Sequence, residues 1–181
     1  MNQTKKIKPL DLAYIGMFVA LITICSWISI PLTVPVTLQT FAIFAAVAML
    51  GLWRGLAAIV VYILLGAVGV PVFAGFSGGF GILLGNTGGY IIGFVFSALI
   101  SGGIMKKFGK KIPVMIVAMV LGLSACYAFG TAWFMYVYSD ANGAIGLLTT
   151  LSWCVFPFII PDICKIALAV ILDKRLAGFI K

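Results

Sequence analysis

LAYIGMFVALITICSWISIPL (residues 12–32) carries no charged side chain from end to end. A helix of that composition is apolar on every side, which a bilayer accepts and water does not, and about 20 such residues suffice to cross the hydrocarbon layer. Lys5, Lys6 and Lys8 precede the run. It is nonetheless longer than the roughly 7–15 apolar residues of a secretory signal and lacks a small-x-small cleavage site, so it reads as a retained first membrane span.

The rest of the chain repeats the pattern. Of 181 residues, 64 % are apolar and 9 % charged, against roughly 25 % charged in an ordinary soluble domain. Six apolar segments can be drawn, at about 10–31, 38–52, 56–73, 88–105, 112–138 and 145–172. The expected fold class is therefore an all-α integral membrane protein: residues 1–181 as one compact bundle of six transmembrane helices, surrounded by lipid bilayer and with no room for a soluble domain. The formal net charge is +8, with no His. In a soluble protein such a balance would raise nucleic acid as a partner; here the bases are read against the membrane first. With both termini on the cytoplasmic side, all of the 12 Lys and Arg except Lys165 fall on that side, which is the positive-inside pattern. The second segment is short, and the Trp53-Arg54-Gly55 turn beside it suggests a tight hairpin of tilted or partial spans.

The three outer loops, 31–40, 71–89 and 138–146, contain no Lys or Arg. The first two are rich in Pro and Gly yet remain apolar. Irregular backbone at membrane depth is tolerated only when it packs on protein or lines a cavity. We therefore expect a folded-back lid in preference to a flexible connector, stiffened at Pro31, Pro35 and Pro71, with Gly75, Gly78, Gly79, Gly81 and Gly85 permitting close approach of backbone to a ligand. The run GGFGILLG (78–85) has neither the βαβ context nor the GK[ST] ending of a nucleotide site.

PDICK (161–165) puts an acid and a base inside the last apolar segment. Counted back from Lys174 at about 1.5 Å per residue, Lys165 lies roughly 14 Å and Asp162 roughly 18 Å above the inner end of the helix. A charge at that depth is costly unless paired or facing a wet cavity. The i,i+3 spacing allows a mutual salt bridge that only fixes the bundle. Pro157 and Pro161, however, are expected to interrupt the helix just before Asp162, the discontinuous geometry that forms midplane sites in transporters. A carboxylate accepts N–H donors, Lys165 attracts a carboxylate, and Asn86 can do both. Tyr90, Trp133, Tyr136 and Trp153 are candidates for an apolar clamp or for an interfacial aromatic belt, and Asn86 is equally placed to cap the fourth helix at its start. The set suits a small molecule with an amide-like head, an apolar body and one acid group. Cys25, Cys126, Cys154 and Cys164 have no metal or redox spacing and read as buried small hydrophobes. Without His or Glu, most acid/base and metal chemistry is absent, no cofactor is implied, and an enzyme would rest on one Asp and one Lys.

Four stretches, VPVTLQTFA (34–42), LLGAVGVPVFAG (64–75), GNTGGYIIGF (85–94) and PDICKIALA (161–169), together resemble the BioY family, the biotin-specific membrane subunit of energy-coupling factor transporters. The resemblance implies a six-helix subunit of the bacterial cytoplasmic membrane that binds biotin from outside with high affinity. Its partners would be a transmembrane coupling subunit and a pair of cytoplasmic ATPases. It further implies that Asn86 and Asp162 hydrogen-bond the ureido ring with Tyr90 nearby, that Lys165 neutralises Asp162 or meets the ligand's charge, and that Gln39 and Thr37 close the first outer loop over the ligand. In this chain Pro161 stands directly before Asp162, where a glycine often intervenes. Ala13, Gly16 and Ala20 form a small-residue stripe suited to close helix contact; it resembles the docking face for the coupling subunit, with packing inside the bundle as the other reading. The alternative within the same architecture is a carrier for thiamine or riboflavin.

Overall fold

The computed structural model describes residues 8–176; Lys5, Lys6 and Lys181 lie outside the described residues. Six long or apolar segments form the bundle: α1 (Pro9–Trp27), α2 (Gln39–Leu50), α3 (Leu52–Ala67), and, after a one-turn α4 (Phe80–Leu84), α5 (Gly88–Phe108), α6 (Ile112–Asn142) and a bent pair, α7 (Leu147–Cys154) with α8 (Phe156–Leu176). α1, α5 and α6 are each long and apolar enough to cross a membrane alone, and α7 with α8 can form one span bent by 41°. α2 and α3 are shorter, at 12 and 16 residues, or roughly 18 and 24 Å against about 30 Å of hydrocarbon. All six expected segments are thus helical, and the expected partial spans are α2 and α3.

Several boundaries differ from expectation, each for a local reason. The first helix stops at Trp27, because Ser29–Ile30 (β1) pairs antiparallel with Val36–Thr37 (β2), with Ser29 opposite Thr37 and Ile30 opposite Val36. Trp53, Arg54 and Gly55 are not a turn but the start of α3. The chain reverses at Gly51, whose φ of +80° favours glycine. Likewise α6 runs on to Asn142 and ends at Gly143, with φ +89°, so the third outer loop is only residues 143–146. The break in the last span falls at Val155, ahead of the prolines. Pro157 sits in the first turn of α8, where a missing N–H costs little, and Pro161 lies inside the helix without ending it.

One end of the bundle is basic. Arg54 meets Asp11 at 2.7 Å, Lys110 lies 3.8 Å from buried Asp173 and donates to the carbonyl of Ala48, and Lys174 donates to the carbonyl of Lys110 at 2.5 Å. These contacts gather the start of α1, the α2–α3 and α5–α6 turns and the end of α8. Every described Lys and Arg except Lys165 therefore belongs to one end, as the positive-inside reading required.

Short α2 occupies the middle, packed on α1, α3, α5 and α8, and its Ala42, Ala45, Ala46 and Ala48 are fully buried. Small residues let helices close on it: a Cβ at Gly55 would stand 2.8 Å from Val47 Cα. The α5–α6 seam is built the same way, with Gly122 against the Ser97 carbonyl. Gly55→Ala is expected to lower stability by about 1–3 kcal/mol through overpacking, read as a reduced thermal midpoint in detergent. Gly16→Ala, where nothing lies within 4 Å, is expected to leave the midpoint unchanged or higher.

Candidate functional site

At the end of the bundle away from the basic turns, the chain folds back over a cavity of about 260 Å³. Its roof comes from the two Pro- and Gly-rich outer loops. The hairpin contributes Val34, Pro35 and Thr37, and the segment between α3 and α5 contributes Phe73, Ala74, Ser77 and Ile82. That second loop is held firmly: Ser26 Oγ donates to the carbonyl of Val72 at 2.5 Å, Tyr62 OH to the same carbonyl at 3.1 Å, and Trp27 Nε1 to that of Pro71 at 2.9 Å. Gly78 could hold no side chain, since its Cβ would lie 2.4 Å from the carbonyl oxygen of Val70. The lid is therefore structured backbone packed on protein, as membrane depth demands.

The floor is polar and made by three helices. On α8, Asp162 is 1 % exposed and Lys165 4 %. Lys165 Nζ donates to Asp162 Oδ1 at 2.6 Å, Thr40 Oγ1 of α2 donates to the same oxygen at 2.9 Å, and Tyr127 OH of α6 donates to Oδ2 at 2.5 Å. The two readings considered from the sequence, a salt bridge and a cavity-facing pair, are thus compatible, because the paired side chains also line the cavity. Gln39 Nε2 donates to Tyr62 OH at 2.7 Å, and Tyr90 OH shares a hydrogen bond with Thr131 Oγ1 at 3.1 Å. Among the described residues, every buried side-chain polar atom has a partner.

Thr37, Gln39, Tyr90, Asp162 and Lys165 all line this one cavity, although they are contributed by three separate parts of the chain. Asn86 does not line it. It sits half-buried in the turn before α5, while its neighbour Thr87 faces the cavity. The expected aromatic clamp is also differently composed: Phe73, Tyr90, Phe94, Tyr127 and Phe158 form the walls, and Trp133, Tyr136 and Trp153 do not. Trp133 instead donates to the Gly85 carbonyl at 3.1 Å and packs over Gly89, securing the start of α5. Both side-chain hydroxyls that donate to Asp162 escaped the sequence reading. Thr40 lay within the VTLQTFA stretch and faces the floor because it follows Gln39 on the first turn of α2. Tyr127 had no local signal, being one aromatic in an apolar run. Cys126 and Cys154 line the cavity as buried thiols, whereas Cys164 is exposed on α8, contrary to the buried role expected of it.

A carboxylate with three donors, beside hydroxyls, an amide and a curved apolar wall, can hold a small amphiphile by its N–H groups. The ion pair also carries a structural consequence. Lys165→Met alone leaves a buried carboxylate without its cation and is expected to cost about 3–5 kcal/mol, while Asp162→Asn/Lys165→Met should recover most of that loss. A double-mutant cycle by denaturant unfolding in detergent measures this; strictly additive losses would mean the two residues do not act as a unit.

Comparison with known proteins agrees with this architecture. The model of the BioY family matches residues 1–181. Among curated relatives, the probable biotin transporter BioY of Pyrococcus horikoshii is 39 % identical, over 94 % of this chain and 98 % of its own length. The biotin transporter BioY of Thermotoga maritima is 38 % identical, over 89 % of this chain and 92 % of its own. A solved structure, the S-component for biotin from an ECF-type ABC transporter, superposes with a TM-score of 0.84 at 28 % identity, covering 98 % of this chain and 95 % of that one. With a family model spanning all of its residues and relatives aligned along nearly their whole length, this membrane protein belongs to the BioY family.

Proposed function

We propose that this chain captures biotin from outside the cytoplasmic membrane with high affinity, as the substrate-binding subunit of an energy-coupling factor transporter, and catalyses no reaction itself. The observation that carries the proposal is the buried Asp162 carboxylate at the cavity floor. A carboxylate offers about four lone-pair sites, and Thr40, Lys165 and Tyr127 use three. One ligand N–H can therefore be added without breaking any bond. The ureido ring of biotin presents N–H donors on a compact apolar bicycle, which suits a polar floor beneath Phe73, Phe94 and Phe158. Gln39 and Thr37 meet the ligand below the hairpin, Tyr90 supplies apolar wall, and Lys165 holds the carboxylate in place through its ion pair. Asn86 acts from the rim, through a small rearrangement of the turn that carries it. The relatives named as biotin transporters and the biotin S-component support the same substrate.

Uptake in this reading requires a transmembrane coupling subunit and a pair of cytoplasmic ATPases. Ala13, Gly16 and Ala20 are exposed along α1, and the free space around Gly16 leaves that face open to a partner helix at close range.

Titration calorimetry of ligand-free protein in detergent tests the substrate. Biotin should bind one to one, and Asp162→Ala should weaken it by about 1–3 kcal/mol or more, since ligand N–H groups lose their acceptor in a dry pocket. Unchanged affinity in that variant removes Asp162 from the site. Heat with thiamine or riboflavin and none with biotin would assign the cavity to another vitamin. For the partner face, Gly16→Leu should preserve biotin binding but reduce uptake by cells containing the coupling subunits; normal uptake would return the stripe to lipid contact.

A further inference from the structure

The α5–α6 turn joins two features that the substrate cavity does not use. Along the seam between the last turns of α5 and the first turns of α6 runs a separate groove of about 420 Å³, lined only by Ile104, Phe108, Pro113, Val114, Val117 and Leu121. It lies on the outside of the bundle, where Phe108, Val117 and Leu121 are 61 %, 54 % and 48 % exposed. At its basic end stand Lys106, Lys107, Lys110 and Lys111. Lys110 is engaged with Asp173 and Ala48. Among the described residues, Lys107 and Lys111 have no acidic partner, and the ammonium of Lys107 lies 5.3 Å from the centre of the Phe108 ring, directly at the groove's rim. The first turn of α6 begins in the same turn, with no acidic residue and no side-chain cap; Pro113 has no N–H there, so the N–H groups of Ile112 and Val114 are the ones that add positive potential beside the lysines.

We infer that this seam is a binding site for an anionic phospholipid, with one acyl chain in the groove and the phosphate between Lys107, Lys111 and the start of α6. The charge and the grease are complementary to the two halves of one molecule. An apolar groove alone would take any lipid tail, and lysines alone would follow from the positive-inside bias. Their junction at Phe108, where a free ammonium meets the mouth of the apolar channel, selects a ligand with both parts. The basic end faces the leaflet whose surface is negative, where each Lys near the headgroups contributes about 1 kcal/mol.

The test uses the full chain in detergent, with native mass spectrometry and thermal melts after addition of phosphatidylglycerol or phosphatidylcholine. Wild-type protein should retain phosphatidylglycerol selectively and melt higher with it. Lys107→Ala/Lys111→Ala should lose about fivefold in retention for each lysine removed, falling to the phosphatidylcholine level, with biotin binding intact. Val117→Trp, which fills the groove and keeps the lysines, should also release the lipid. Glycerol phosphate, which has the charge without the chains, should not compete. Equal retention of both lipids by wild type, full competition by glycerol phosphate, or lysine variants that keep the selectivity would each overturn the assignment. So would variants that keep lipid selectivity but no longer co-purify with the coupling subunits, since the lysines would then belong to a protein interface.

Discussion

An acid and a base enclosed one helical turn apart on α8 constrain everything around them. Removing two charges from water costs several kcal/mol per ion after relaxation, and their attraction offsets this only when geometry is good and the remaining lone pairs find donors. Here the donors come from different helices: Thr40 from α2 and Tyr127 from α6. Satisfying one carboxylate therefore ties α2, α6 and α8 together at the cavity floor. The same demand sets the local shape of the last span, because α8 must begin at Phe156, after the break at Val155, for Asp162 and Lys165 to face inward while Ile163 and Cys164 face out.

The second constraint is the shortness of α2. A helix of 12 residues cannot reach across a bilayer, so its ends must be covered by protein. At the basic end the Ala48 carbonyl accepts from Lys110. At the other, the hairpin and the loop after α3 fold down, anchored through Ser26, Trp27 and Tyr62. The space left above the start of α2, between that roof and the Asp162 floor, is the cavity. Partial span, structured lid and cavity are consequences of one another.

Much of this was legible in the sequence, for definable reasons. Long uncharged runs and one-sided lysines reveal spans and orientation because the bilayer penalises charge uniformly, and the isolated pair in PDICK stood out against that rule. Ends of elements were less legible. The Trp53-Arg54-Gly55 triplet looks like a turn, yet the chain reverses at Gly51, with φ +80°, and the triplet opens α3. The break at Val155 has no residue-type signal, while the prolines that do signal one are absorbed by a first turn and by a cavity-lining helix. Tyr127 was invisible for a different reason: its role depends on Asp162, 35 residues away, and no local pattern encodes that meeting. Asn86 and Trp133 lie off the cavity wall: Asn86 is next to Thr87, which faces the cavity, and Trp133 is engaged in fastening the turn that carries them.

Because Asp162 and Lys165 pair, the ionic floor of the cavity adds no net charge to it. An ionised ligand would bring net charge to a depth where the transmembrane field acts, and that field is worth about 2.3 kcal/mol for one elementary charge crossing 100 mV. Occupancy by an anion would then shift with membrane potential by the fraction of the field it traverses, whereas a neutral ligand would be indifferent. The fixed pair does not move through the field, so any dependence of occupancy on membrane potential would report the charge of the ligand itself.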